Sequence, residues 1–145
     1  MAGSKSNWLE DAVLDSILGK SSTLLSTGLV AATQYISLWN STINDTWTST
    51  STGECAGSTY AREALTNSSA SWTNSTAGSK TTKVVVEFTT AAGSDWGTVK
   101  AFAIHDSAST ATGNIYYWGD LTANQTIATG NTVRFSTGAI VVTED

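Results

Sequence analysis

One imidazole, one thiol and twelve carboxylates are the groups through which this 145-residue chain could carry out covalent or proton-transfer chemistry. His105 has Asp106 beside it. Neighbours in a strand point to opposite faces, so the pair cannot form a histidine–carboxylate relay while the strand is regular. No Gly-x-Ser-x-Gly turn presents a nucleophile. Cys55 follows Glu54, whose charge raises a thiol pKa and opposes an activated thiolate. No Asp-x-Asp-x-Asp-Gly loop offers oxygen ligands, no Cys/His pair has zinc spacing, and no Gly-x-x-x-x-Gly-Lys loop cradles phosphate. No two of the twelve acids stand out as the opposed pair that glycoside hydrolysis needs. The sequence therefore assigns no catalytic residue, no cofactor and no metal, and the chain is read as a non-enzyme.

Aromatic residues offer a binding alternative. Tyr116, Tyr117 and Trp118 are consecutive, so strand alternation puts Tyr116 and Trp118 on one face and Tyr117 on the other. Two exposed rings there could stack on a sugar or on a partner's apolar surface, and core packing is the competing role for them.

The elements that would position these groups read as β-structure. Ser and Thr make up roughly a third of the chain, charged residues 13%, and there is no proline. With 40% apolar residues and six tryptophans, this is not a disordered composition. Thr, Val, Ile and aromatics suit half-buried pleated surfaces. Strands are predicted at Tyr35–Trp39, Tyr60–Thr66, Ala70–Thr73, Thr82–Thr89, Trp96–His105 and Asn114–Gly119, with Asn131–Ser136 and Ala139–Thr143 forming a hairpin around Thr137-Gly138. The run from Asp95 to Leu121 reads as two strands joined by a small-residue loop. Trp96-Gly97 and Trp118-Gly119 each set a large ring beside a residue without a side chain, where backbone can approach a packed ring.

Asn7 is a candidate helix N-cap, with Glu10 as its capping-box partner, for a helix over 7–18 that stops at Gly19-Lys20. Leu9, Val13 and Ile17 recur every four residues with Leu14 and Leu18 beside them. That stripe must be buried, against the chain's own sandwich or against a neighbour. The organisation is thus an N-terminal arm and connector, 1–34, and a β-domain, 35–145. The fold class is mainly β: a jelly-roll-like antiparallel sandwich preceded by a short helix. The polar stretch Asn40–Ser58 reads as a long loop.

Net charge is −5 and the basic residues are scattered singly, which argues against a nucleic-acid partner. No apolar run approaches the ~20 residues that span a bilayer, and the N-terminus has no signal-peptide pattern, so synthesis in the cytoplasm is expected. A single cysteine leaves no internal disulfide. Asn-x-Ser/Thr sequons at Asn40, Asn44, Asn67, Asn74 and Asn124 could mark a glycosylated secreted protein; in a chain this rich in Ser and Thr several arise by chance, and the absence of a signal-peptide pattern argues against glycosylation.

Several pieces, in order along most of the chain, resemble a family of small bacteriophage virion proteins of tail-fibre-like or head-decoration-like type. They are Asn7–Leu14; Tyr35–Trp39; Thr52-Gly53-Glu54 leading to Tyr60-Ala61-Arg62; Trp96–Val99 with Phe102–Asp106; Gly113–Gly119; and Gly130-Asn131 leading to Phe135 and Gly138. Members carry proline after the first strand and before the last hairpin's glycine; here those places read Asn40-Ser41-Thr42 and Ser136-Thr137. The resemblance implies a virion structural subunit, first of all a capsid decoration or cement protein on the outer capsid surface. Its implied partners are the major capsid protein and further copies of itself, as a homotrimer or other symmetric oligomer. Trp8, Leu9, Val13 and Ile17 are the expected interface. The alternative is a tail or head-fibre protein that binds a host glycan receptor through Tyr116, Trp118 or the Asn40–Ser58 loop.

Overall fold

A computed structural model describes residues 13–15, 17–18, 31–44, 47 and 51–144. Eight strands follow in chain order: β1 (Thr33–Trp39), β2 (Glu63–Thr66), β3 (Ser79–Thr81), β4 (Val86–Glu87), β5 (Gly97–His105), β6 (Ile115–Ile127), β7 (Arg134–Phe135) and β8 (Val141–Thr143). The protein is mainly β and its sheets are antiparallel. Two compact units divide the chain: Met1–Thr33 with Thr66–Val85 and Phe135–Asp145, and Gln34–Leu65 with Val86–Arg134.

The second unit holds nearly all of a four-stranded sheet in the order β2-β1-β5-β6. β1 alternates as its sequence demands. Ile36 and Leu38 share one face with Ile104, their neighbour across the register, while Ser37 and Trp39 share the other with Ala103 and Ala101. Side-chain size explains that second face: Trp39 lies opposite Ala101, so a small residue leaves room for a large ring. Trp39, Ile43, Ala101 and Ala103 form a buried cluster, and Trp47 and Ile115 pack against it. A separate aromatic group joins Tyr60, Phe88 and Trp96, with the Tyr60 and Trp96 rings edge to face at 5.3 Å.

The glycines beside tryptophan have other partners than their neighbours. Trp96 lies over Gly57, where an added Cβ would come within 2.6 Å of the ring. Phe102, not Trp118, covers Gly119, its partner across the register, at 3.0 Å from where a Cβ would be. A ring approaches bare backbone at Gly57 and Gly119, across the loop or sheet and not along the chain, whereas Gly97 faces the Asn40 side chain, 3.2 Å from where a Cβ would be, and no ring.

The β5–β6 pair carries two irregularities. Ile104 opposes Tyr117 and His105 opposes Ile115, which leaves Tyr116 as an extra residue. Farther along, Val99 opposes Gln125 and Ala101 opposes Asp120, so residues 121–124 span a gap that β5 crosses with Lys100 alone. Those four residues bow out of the ladder.

In the first unit β3 pairs with β8. A two-residue turn, Ala77-Gly78, with φ of 49° and 68°, closes Thr76 onto Ser79, the geometry that matches strand twist in tight hairpins. Of the predicted helix 7–18, residues 13–15 and 17 are described and helical, and Leu18 N–H donates to Leu14 O at 2.8 Å. Leu14 and Leu18 are fully buried. Lys80, itself buried, reaches Asp15 at 2.7 Å, and Asn67 Nδ2 donates to the Ile17 carbonyl at 2.9 Å.

Four predicted strands come out differently. Thr82–Thr89 does not form one strand: Thr82 bridges to Trp72, Val86–Glu87 pairs with β7, and the chain passes from the first unit to the second between Val85 and Val86. Alternation survives locally, but each half serves a different ladder. Ala70–Thr73 contributes only that bridge from Trp72. The closing segments turn at 136–139, where Ala139 N–H donates to Ser136 O, yet they do not pair with each other; β7 joins β4 and β8 joins β3.

Candidate functional site

The polar side chains that matter lie in the second unit, at both ends of β1. Ser37 and His105 occupy diagonal positions on one sheet face, and the Ser37 hydroxyl lies 2.7 Å from His105 Nε2. Trp39 Nε1–H donates to the same hydroxyl at 2.7 Å. A serine hydroxyl within hydrogen-bond reach of an imidazole is the first half of a nucleophile–base arrangement. Here both residues are 0% exposed, and Trp39 stacks beside His105 with ring centroids 6.3 Å apart. Substrate has no path to the pair in this conformation. Burial pushes His105 down to about 3, with the Arg62 charge adding to the effect and Asp106 opposing it, so the ring is neutral at physiological pH. Its Nδ1 has no partner among the described residues. Asp106 is engaged elsewhere, accepting from Asn114 N–H at 2.6 Å and Nδ2 at 2.7 Å, which fastens the two ends of the β5–β6 loop.

A second network ties the loop that precedes β2 to the loop that follows β5. Arg62 Nε and Nη2 donate to the two oxygens of Glu54, each at 2.8 Å, a bidentate pair with side chains 0% and 8% exposed. Arg62 Nη1 donates to the carbonyls of Ser107 and Thr112 at 2.9 and 3.1 Å. Tyr60 donates its hydroxyl proton to Glu54 at 3.0 Å and accepts from Leu38 N–H at 3.0 Å. Burial first, then the Glu54 charge, pushes the Tyr60 phenol well above its ordinary value. The same two causes push the Cys55 thiol up to about 12, and its Sγ–H donates to Asn40 Oδ1 at 3.2 Å. The thiol is held protonated and buried.

Between these loops lies an open hollow of about 460 Å³, with Ser51, Thr52, Glu54 and Ala56 on one wall and Thr110 and Ala111 on the other. Ala111 adopts φ 57°, a left-handed conformation that costs a residue with a Cβ about 1 kcal/mol or more and persists only when its surroundings impose it. Arg62's grip on Ser107 and Thr112 supplies that constraint.

Of the residues singled out in the sequence, Trp8 and Leu9 lie outside the described residues. Val13 and Ile17 are half-buried. Trp118 is 41% exposed, and Tyr116 is half-buried. The extra residue at Tyr116 changes the phase of the strand, so Trp118, opposite Ala103, shares its face with Ile115, opposite His105, instead of following simple alternation from Tyr116. Sequence reasoning did not pair Ser37 with His105 or Glu54 with Arg62. The only signal was that Thr52-Gly53-Glu54 and Tyr60-Ala61-Arg62 stood among the pieces of the resemblance. Among the described residues no group of three or more His, Cys, Asp or Glu is placed to hold a metal ion, and no helix is long and apolar enough to cross a membrane.

Comparison with known families assigns the chain to the structural proteins of bacteriophage virions. Residues 4–143 match the family described as Podophage GP4 fiber I protein gp80, and the chain belongs to that family. No curated protein matches it.

Proposed function

We propose that this chain is a fibre subunit of the virion that works by binding and shape, without catalysis. Membership of a phage fibre family over residues 4–143 carries the reading. The buried, substrate-inaccessible state of Ser37 and His105 supports the non-catalytic part. The sequence points first to capsid decoration, with the major capsid protein as partner; membership of a fibre family favours the fibre alternative. Trp118, with 41% of its surface free at the sheet edge, is the residue we propose for contact with a host glycan.

Gold-labelled antibody against this chain, applied to intact virions, tests the placement. Label on projecting fibres is the expected result, and label spread evenly over the capsid surface would return the reading to decoration. Glycan binding that survives Trp118→Ala unchanged would remove the proposed contact.

A further inference from the structure

The two edges of the four-stranded sheet carry features that complement one another. On the β2 side of β1, residues 53–55 extend the sheet: Asn40 N–H donates to Gly53 O at 2.7 Å and Cys55 N–H to Leu38 O at 2.8 Å, with Glu54 opposite Trp39. In this antiparallel pattern the N–H and C=O of Glu54 itself point away from β1. Neither group bonds to another backbone group among the described residues, and neither does the N–H of Ala56. The hollow borders this strip, and no β1 residue lines it. A main-chain edge unpaired among the described residues, beside a hollow, is what an added extended segment needs. Its walls select against charge and bulk. Glu54 is already neutralised by Arg62, and the remaining lining is hydroxyls, methyls, backbone, the Cys55 thiol and Tyr60, none of them charged.

On the opposite edge, β6 offers such a segment. Residues 121–124, Leu-Thr-Ala-Asn, bow out across from Lys100 alone, carry no charge, and are exposed from Thr122 to Asn124. We propose that copies of this chain join head to tail, residues 121–124 of one copy seating in the hollow of the next and adding to the free edge at Glu54 and Ala56. The two surfaces differ, so the contact is heterologous. Each copy keeps one of each surface available, and repetition gives a ring or a filament according to whether the rotation closes. The two walls are locked together by the Glu54–Arg62 pair before any partner arrives, which lowers the ordering cost of docking. The inference shares with the fibre reading only that copies meet, and assembly in solution is measured independently of where antibody binds on the virion.

Ala123→Asp on the protruding segment and Ala56→Asp in the hollow, both exposed positions, test it by sedimentation velocity, with far-UV circular dichroism confirming the fold of each variant. The wild-type chain should grow in mass with concentration. Each variant alone should associate at least tenfold more weakly. Mixed in equal amounts, the two should form dimers and nothing larger, because each supplies the intact surface the other lacks. A wild-type chain that stays monomeric up to about 1 mM, a variant that assembles as the wild type does, or folded variants that fail to pair on mixing would each overturn the proposal.

Discussion

Arg62 and Glu54 meet through two hydrogen bonds of 2.8 Å in a setting almost closed to water, and the guanidinium's Nη1 donates to the Ser107 and Thr112 carbonyls. Removing one partner leaves the other charge buried without compensation, a loss of ~3–5 kcal/mol. Arg62→Ala should therefore lower stability by about that amount in urea titration. Arg62→Lys should recover only part of it, since an ammonium cannot reproduce the fork. Hydrogen exchange should speed up most in residues 107–113. Unchanged exchange there would show that the loop is held by something else.

Gly57 and Gly119 are held bare by rings. A Cβ at Gly57 would come within 2.6 Å of Trp96 Cδ1, and one at Gly119 within 3.0 Å of Phe102 Cε1. Overpacking of this kind costs ~1–3 kcal/mol. Gly57→Ala should be the more damaging of the two by thermal unfolding, because Trp96 is fully buried and has less room to give. The reverse order would count against the geometry given for both rings.

Acid should destabilise the fold from mildly acidic pH downward. His105 titrates near 6.5 when unfolded and near 3 in the fold. Between those values the unfolded chain binds a proton that the native chain refuses, so stability falls as pH falls through this window and the effect is complete near 3. Asp15, held below its ordinary value despite burial by hydrogen bonds from Lys80 and Ser75 and by the Lys80 charge, adds a loss in the same direction below about 3.8. His105→Gln should flatten the decline between pH 6.5 and about 4 and leave the lower limb in place, as read from unfolding midpoints across pH.

Lys80 is 1% exposed and its ammonium meets Asp15 at 2.7 Å, which couples the helix to β3. Asp15 is partly open to water, so Lys80→Met should cost less than breaking the Arg62 pair, about 1–3 kcal/mol. Loss of helical signal in circular dichroism ahead of the main unfolding transition would accompany it. A single unshifted transition would mean that Leu14 and Leu18 suffice to hold the helix.

What could be read from sequence was what depends on local period. β1 and β5 appear almost where their alternation put them, since Ile36 and Leu38, and Ala101 and Ala103, each face one way. What could not be read was decided by partners distant in sequence. Thr82–Thr89 alternates well, but its two ends serve different units. Tyr116 follows period two in the sequence and escapes it in the fold, because one extra residue in a ladder leaves no local mark. The same limit hid the polar networks. Ser37 and His105 are 68 positions apart, and Arg62 binds carbonyls 45 and 50 residues away. The motifs Thr52-Gly53-Glu54 and Tyr60-Ala61-Arg62 nevertheless contained the participants, and their role becomes visible once the two loops are brought together.

The division of the chain bears on the order in which the protein can be completed. Along the sequence Gln34–Leu65 and Val86–Arg134 flank Thr66–Val85, while the first unit also draws on Met1–Thr33 and Phe135–Asp145. Synthesis proceeds from the N-terminus at roughly 5–20 residues per second. By the time Arg134 leaves the ribosome, every part of the second unit is available, yet β3 is still waiting for β8. A nascent chain exposed only as far as Arg134 therefore carries one unit with all its segments and one that still lacks its β8 partner strand.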